Sequence, residues 1–170
     1  MKKHRGMRSH DLVILLKLFI LKENVWFIKD VAFALGISQS EVSESLNRSR
    51  IAGLLSNDKK TVMKNNLLDF LEYGLRYVFP AEPGSIQRGV FTAHSAPPLN
   101  IFVSAEESYV WPWAEGEARG QAIEPLHPRV PDACARDRVL YEMLALMDAI
   151  RLGRAREKQK AIGELRHRIL

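Results

Sequence analysis

Five polar side chains share one face of a helix-forming stretch and carry groups that can read base edges in nucleic acid. Val42 and Leu46 are apolar and are expected to face inward, which leaves exposed a set of polar neighbours: Gln39, Ser40, Ser43, Glu44 and Asn47. Gln and Asn amides can pair with adenine, Ser can bond several bases, and Glu can accept a hydrogen bond from cytosine. The pattern predicts base contacts in a major groove. A solvated helix face without a ligand is the alternative interpretation.

Four nearby cations are suited to phosphate groups. Arg48 and Arg50 lie toward the end of the same stretch, where backbone phosphates are expected targets. Lys59 and Lys60 lie in a polar turn and are expected to reach phosphates or an adjacent groove. The basic arm at residues 2–5 is either a minor-groove arm or a solubilising tail.

Local signals place this helix in a helix-turn-helix. Gly36 can adopt the left-handed conformation that ends a preceding helix. Ser38 is an expected N-cap, and Glu41, three residues later, completes a capping box. Ile37 and Val42 flank the cap as a hydrophobic staple. These signals agree on one helix start, although an αα-hairpin in an ordinary core would share some of them.

Further helices and one hairpin surround the motif. Apolar spacing predicts helices over about 11–22, 28–35, 39–52 and 66–79. Ser9 is expected to cap the first of them. Two apolar pairs, at 54–55 and 62–63, flank a polar turn and predict a short hairpin. The expected order is helix, helix, helix, hairpin, helix.

This part of the chain resembles winged-helix regulators of the MarR type. The resemblance rests on the helix-turn-helix run 31–46 and on Ala52-Gly53-Leu54, which follows at the distance where such proteins enter the first wing strand. It covers about residues 9–79, and Ser49 stands where these proteins usually have leucine. The resemblance implies a three-helix bundle with a β-wing, used as a homodimer on a pseudo-palindromic duplex.

The distribution of charge fits a polyanionic partner for the first part. Residues 1–79 contain 13 Lys and Arg against 8 Asp and Glu, whereas 80–131 contain 3 against 6 and 132–170 contain 9 against 6. Basic side chains that neutralise phosphates release counterions and thereby supply non-specific affinity. The acidic middle is not expected to share that role.

Proline separates the middle of the chain from its flanks. All eight prolines lie in residues 80–131, which we expect to be irregular, with short strands at 100–103 and 109–113. This segment is a candidate site for a small effector or a protein partner. Trp111 and Trp113 suit either an aromatic ligand groove or a packed core.

The C-terminal part, 132–170, is expected to begin with an amphipathic helix over 132–151. Its wide apolar stripe must be buried on something, and we expect a second copy of the helix in a homodimer. Packing onto the chain's own helices is the alternative. Residues 154–170 form a basic and only weakly amphipathic tail.

The sequence has no catalytic or metal-binding pattern. We expect no enzymatic activity and no cofactor, because phosphate loops, zinc-protease motifs and nucleophile elbows are missing from it. His94, His127 and Cys134 match no zinc spacing. A single cysteine fits a reducing compartment. The apolar run 12–21 is interrupted by Lys17 and too short to span a bilayer, so we expect a cytoplasmic protein without a membrane partner.

These observations together predict a mainly α fold with a small β-wing. We expect a winged helix-turn-helix DNA-binding domain over 1–79, a proline-rich irregular segment over 80–131 and a C-terminal dimerisation helix within 132–170. The expected function is that of a sequence-specific transcriptional regulator of double-stranded DNA, a repressor or autoregulator. The alternative is a protein–protein adaptor, or an antitoxin-like protein that neutralises a partner through the proline-rich segment.

Overall fold

Helices dominate the computed structural model, which describes residues 6–22 and 24–170. The expected mainly α fold with a small sheet is confirmed: within those ranges there are eight α-helices and one three-stranded sheet. The basic arm at 2–5 lies outside the described residues. The helices are α1 (Ser9–Leu21), α2 (Ile28–Leu35), α3 (Gln39–Ile51), α4 (Lys64–Tyr73), α5 (Leu75–Val78), α6 (Val130–Cys134), α7 (Arg138–Leu152) and α8 (Ala155–Ile169), and the strands are β1 (Ile86–Phe91), β2 (Tyr109–Pro112) and β3 (Ala118–Ala122).

A carboxylate in the first turn starts both α1 and α2. Asp11 accepts a hydrogen bond from the Arg8 backbone N–H at 2.8 Å, and Asp30 accepts one from the Phe27 N–H at 3.3 Å. A negative charge at this end also suits the helix dipole. The N-cap of α1 is therefore Arg8, and the expected cap at Ser9 is wrong.

The turn between α2 and α3 follows the sequence signals. Gly36 has φ of 65°, the left-handed conformation that ends α2, and the Ile37 N–H donates back to the Ala32 carbonyl at 3.0 Å. The Ser38 hydroxyl accepts a hydrogen bond from the Glu41 N–H at 3.2 Å. The expected start of α3 is confirmed.

The segment between α3 and α4 is a short hairpin, as expected. Leu55 and Val62 form a single β-bridge, and the Ser56 N–H donates to the Thr61 carbonyl at 2.9 Å. The polar turn lies at the tip, where Lys59 has a positive φ of 60°. The pairing is too short to count as a regular strand pair.

The proline-rich segment is more regular than expected. Strand β1 pairs antiparallel with both β2 and β3, and β2 pairs parallel with β3, so the small sheet closes on itself. The expected strand at 109–113 is confirmed, whereas Leu99–Ile101 forms a 3-10 turn where the strand at 100–103 was expected. Gly89 is needed because a Cβ there would collide with the Trp111 carbonyl.

A buried carboxylate on α7, Asp148, connects this helix to the sheet. The Asp148 carboxylate accepts hydrogen bonds from the Thr92 hydroxyl at 2.7 Å and from the Trp111 Nε1–H at 2.6 Å. Arg151 donates to the other Asp148 oxygen at 2.7 Å and to the Phe79 carbonyl at 2.8 Å. Trp111 therefore belongs to the core, where each of these polar groups has a partner.

The apolar face of α7 is buried within the chain. Its residues Leu140, Met143, Leu144, Met147 and Ile150 are at most 2% exposed. Helix α7 packs against α1, α4, α5 and α8, and the Lys17 ammonium of α1 contacts the Asp137 carboxylate at its N-cap, at 2.7 Å. The stripe therefore packs onto the chain's own helices, which was the alternative interpretation, and the homodimer stays a prediction.

Three other expected bounds differ from the structure. The helix expected over 66–79 divides at Gly74 into α4 and α5. The helix expected from 132 divides into α6 and α7. Residues 155–169 form α8, which buries Ala161, Leu165 and Ile169, so the basic tail is a packed helix. Within the described ranges, no helix combines the length and apolarity needed to cross a membrane.

Candidate nucleic-acid interface

The outward face of α3 carries the expected row of polar side chains. Val42 is fully buried and Leu46 nearly so, which confirms the predicted inward face of the helix. All five candidates for base contact are exposed: Gln39, Ser40, Ser43, Glu44 and Asn47. Residues 39, 43 and 47 are four apart and therefore lie in one row along the helix. Their contact with bases stays a prediction.

Arg50 orients one member of that row. Its guanidinium donates a hydrogen bond to the Asn47 amide oxygen at 3.2 Å. An amide oxygen has two lone pairs, and the Asn47 NH2 group carries two donors. The contact therefore holds the amide in place while leaving it able to accept and donate toward a base. Arg50 itself is half-buried, within reach of solvent at the end of α3.

Arg48 is buried on the side of α3 that meets α1, and its expected exposure to phosphates is wrong. Its guanidinium donates to both oxygens of Asp11, Nε to Oδ2 at 2.9 Å and a terminal nitrogen to Oδ1 at 2.8 Å, and it donates to Glu41 at 2.8 Å. The hydrogen bonds that Arg48 donates to Asp11 raise the pKa of Arg48 above its ordinary value, although burial opposes the shift. Arg48 therefore holds α3 against α1.

His10 and Glu41 complete this group, which we call the Arg48 cluster (His10, Asp11, Glu41 and Arg48). The His10 Nε2 lies 2.7 Å from a Glu41 oxygen. Burial raises the pKa of Glu41, but hydrogen bonds from Arg48 and His10 outweigh it and lower the pKa overall. The Glu41 carboxylate is thus directed at the cluster, and the expected reciprocal arm of the capping box is wrong.

His127 brings the proline-rich segment against the Arg48 cluster. Its ring lies edge-on to the His10 ring, with centroids 5.7 Å apart. The Arg129 N–H donates to His127 Nδ1 at 3.1 Å, which requires that nitrogen to be unprotonated. Burial first, and then the charges of His10 and Arg129, lower the pKa of His127.

The hairpin tip carries the two expected lysines. Lys60 is exposed and Lys59 half-buried. In the same turn, the Asp58 carboxylate accepts hydrogen bonds from the Ser56 hydroxyl at 2.5 Å and from the Lys60 N–H at 3.1 Å. These hydrogen bonds lower the pKa of Asp58. Lys59, Lys60 and Gln39 line one continuous groove, so the hairpin tip and the start of α3 face the same side of the molecule.

The side chains that could take part in metal or thiol chemistry include His94 and Cys134. In residues 6–22 and 24–170, no three His, Cys, Asp or Glu side chains are grouped so that they could hold a metal ion. Cys134 is buried, and burial raises the pKa of its thiol, which disfavours the reactive thiolate. His94 donates from Nε2 to the Glu107 carbonyl at 2.8 Å. It therefore has a structural partner.

Comparison with known proteins gives no relative: no family model, no curated protein and no solved structure matches this chain.

Sequence analysis missed the Arg48 cluster. Asp11 stands 37 residues from Arg48 in the sequence, and α1 and α3 must be packed together before their pairing is visible. The one signal available was Asp11 itself, a carboxylate directly before a run of buried apolar residues, 12–16. A buried carboxylate needs a hydrogen-bonded or charged partner.

Proposed function

We propose that this chain is a winged-helix transcriptional regulator that binds double-stranded DNA with α3 in the major groove. The observation that carries the proposal is the exposed row of Gln39, Ser43 and Asn47 on α3. These side chains offer donors and acceptors suited to adenine and to other base edges. A row of about this length covers a few successive base pairs, as recognition helices do.

The anchoring of α3 supports this proposal. Base readout demands that side chains be held in place on a rigid element. Arg48 is buried and fixes the inner side of α3 to Asp11 on α1, while Ser38 caps the start of the helix. The outer side of α3 is left for a ligand by this arrangement.

The hairpin would supply affinity that does not depend on sequence. Lys59 and Lys60 lie on the same side as the start of α3, where they would contact phosphates of the duplex. Neutralised phosphates release counterions, so this contribution is expected to weaken with salt. We propose repression or autoregulation as the result of occupying a promoter. A homodimer on DNA would use a surface other than the apolar face of α7.

Selection of bound duplexes from a random DNA pool tests the proposal. At low salt we expect the purified protein to enrich one sequence family, and Gln39→Ala should weaken binding to that family. Gln159→Ala is the matched control, since Gln159 is exposed on α8, and it should bind like wild type. Failure to bind any duplex at low salt would overturn the proposal.

A further inference from the structure

A wide groove of about 1690 Å³ opens beside the hairpin. Its walls come from the end of α1, residues 22 and 24–27, the start of α2, part of α3, the hairpin tip, the first residue of α4 and the end of α8. Small-molecule sites usually enclose about 300–1,000 Å³. The larger and more open space is suited to a segment of a polymer.

Five lysines give this groove, here called the lysine groove, a strong positive charge; they are Lys22, Lys29, Lys59, Lys60 and Lys64. None of them forms an ion pair with another described residue. Arg168 also lines the groove, but Glu142 accepts its hydrogen bond at 2.8 Å. Asp58 is the one acidic side chain among the described lining residues, and it is hydrogen-bonded within the hairpin turn. The occupant is therefore expected to be a polyanion.

Aromatic rings line the same groove as these ammonium groups. Phe27 is 58% exposed and Trp26 and Phe19 are half-buried, all in the groove wall. The Lys29 ammonium lies 5.7 Å from the centre of the Phe27 ring, and Lys64 lies at the same distance from Phe19. Binding of phosphates alone would not need exposed rings. Rings that alternate with cations are typical of surfaces that stack unpaired bases and neutralise the phosphates between them.

We propose that the lysine groove binds single-stranded nucleic acid, with bases stacked on Phe27 and Trp26 and phosphates held by the lysines. Duplex DNA keeps its bases inside, so it could use the lysines but not the rings. An acidic protein segment would likewise use the charges without needing the rings beside Lys29 and Lys64. The proposal does not depend on base recognition by α3.

The test compares two labelled oligonucleotides of the same length in fluorescence anisotropy, one of thymidine and one of abasic residues. A length of about 15 nucleotides fits the usual range of such sites. The full chain should bind the thymidine strand in a salt-dependent manner and the abasic strand about tenfold more weakly. Equal affinity for the two strands would overturn the proposal, and so would an oligoglutamate that competes as well as thymidine strands.

Variants of exposed phenylalanines sharpen the test. Phe27→Ala should weaken the preference for the thymidine strand, since only Trp26 is left for stacking, and Phe27→Leu, which keeps apolar bulk but removes the ring, should do the same. Phe33→Ala is the matched control, because Phe33 is 79% exposed on α2 and does not line the groove. If the Phe27 variants retain the preference, stacking on that ring is excluded.

A further comparison separates this proposal from duplex recognition. Asn47 does not line the lysine groove, so Asn47→Ala should leave single-strand binding unchanged. Phe27→Leu should leave the preferred duplex sequence unchanged. A parallel loss of single-strand binding in Asn47→Ala would contradict a separate groove.

Discussion

The Asp11 carboxylate at the start of α1 accepts two hydrogen bonds from the Arg48 guanidinium near the end of α3, at 2.9 and 2.8 Å. Asp11 is fully buried and also accepts the Arg8 N–H that starts α1. One carboxylate therefore fixes both the first turn of α1 and the position of α3. The outward row on α3 depends on this inner contact for its orientation.

Loss of Arg48 should destabilise the fold. Removal of one partner from a buried ion pair leaves an uncompensated charge and costs about 3–5 kcal/mol. Arg48→Met should lower the free energy of unfolding by that amount in a urea titration. Arg50→Met, at the same end of α3, is the control and should change it by about 0.5 kcal/mol or less. If Arg48→Met unfolds like wild type yet binds DNA poorly, Arg48 contacts the ligand after all.

The hairpin lysines should set part of the salt dependence of duplex binding. Lys59→Asn and Lys60→Gln together should reduce the slope of log affinity against log salt by about 1 to 2. Asn suits position 59 because that residue has a positive φ of 60°. Replacement of Lys158 and Lys160 on α8 by Gln provides a control with the same loss of charge. An unchanged slope in the hairpin variant would mean that the tip does not approach the duplex.

Asp148 should be essential for the packing of the sheet on α7. Asp148→Ala would leave the buried Arg151 charge without its carboxylate partner and remove the acceptor of the Trp111 Nε1–H. This loss should lower the free energy of unfolding by about 3–5 kcal/mol. A second substitution, Arg151→Met, removes this unpaired charge, so the double variant should be more stable than Asp148→Ala alone. Purely additive losses would show that the two side chains are not coupled.

Stability should fall on acidification, in part through His127. Its pKa in the folded chain is lower than the ordinary 6.5, so the unfolded chain takes up the proton first as the pH drops. Folding is thereby disfavoured below about pH 6.5. His127→Asn keeps an acceptor near the Arg129 N–H and should show a smaller decline between about pH 7 and 5.5. The measurement is the urea midpoint across this range; parallel curves for the two proteins would contradict the role of His127.

Glu41 should add to the decline at lower pH. Its pKa in the folded chain is lower than the ordinary 4.5, so its contribution is complete above that value and is lost as the pH falls through the folded pKa. The two groups therefore destabilise the fold in successive windows, His127 first. Glu41 belongs to the Arg48 cluster, and His127 contacts the cluster through His10.

Local signals in the sequence were sufficient for the end of α2 and the start of α3. Both follow from Gly36 and Ser38, whose effects act over a few residues. The packing partners of α7 were not predictable from local signals. Its apolar stripe was correctly identified, but its partners α1, α4 and α5 are distant in the sequence, and the adjacent α8 was not predicted as a packed helix. Helix α8 was not predicted because its buried residues, 161, 165 and 169, form a narrow apolar stripe among charged residues.

Contacts between residues far apart in the sequence also explain why the sheet of the middle segment and the Arg48 cluster were not predicted. Strands β1 and β3 pair across about thirty residues, and neither has the alternation that marks an isolated strand. The exposed row on α3 was predictable from helical spacing alone. Arg48 was misplaced because its partner lies on another helix.

Base recognition by the outward face of α3 can be tested in a single binding comparison. Asn47→Ala and the control Gln159→Ala should be titrated with the selected duplex and with a scrambled duplex at the same salt concentration. We expect Asn47→Ala to lose about 1–3 kcal/mol on the selected duplex and little on the scrambled one, because a base contact discriminates between sequences. The control should match wild type on both. An equal loss on both duplexes, or no loss on either, would contradict base recognition by α3.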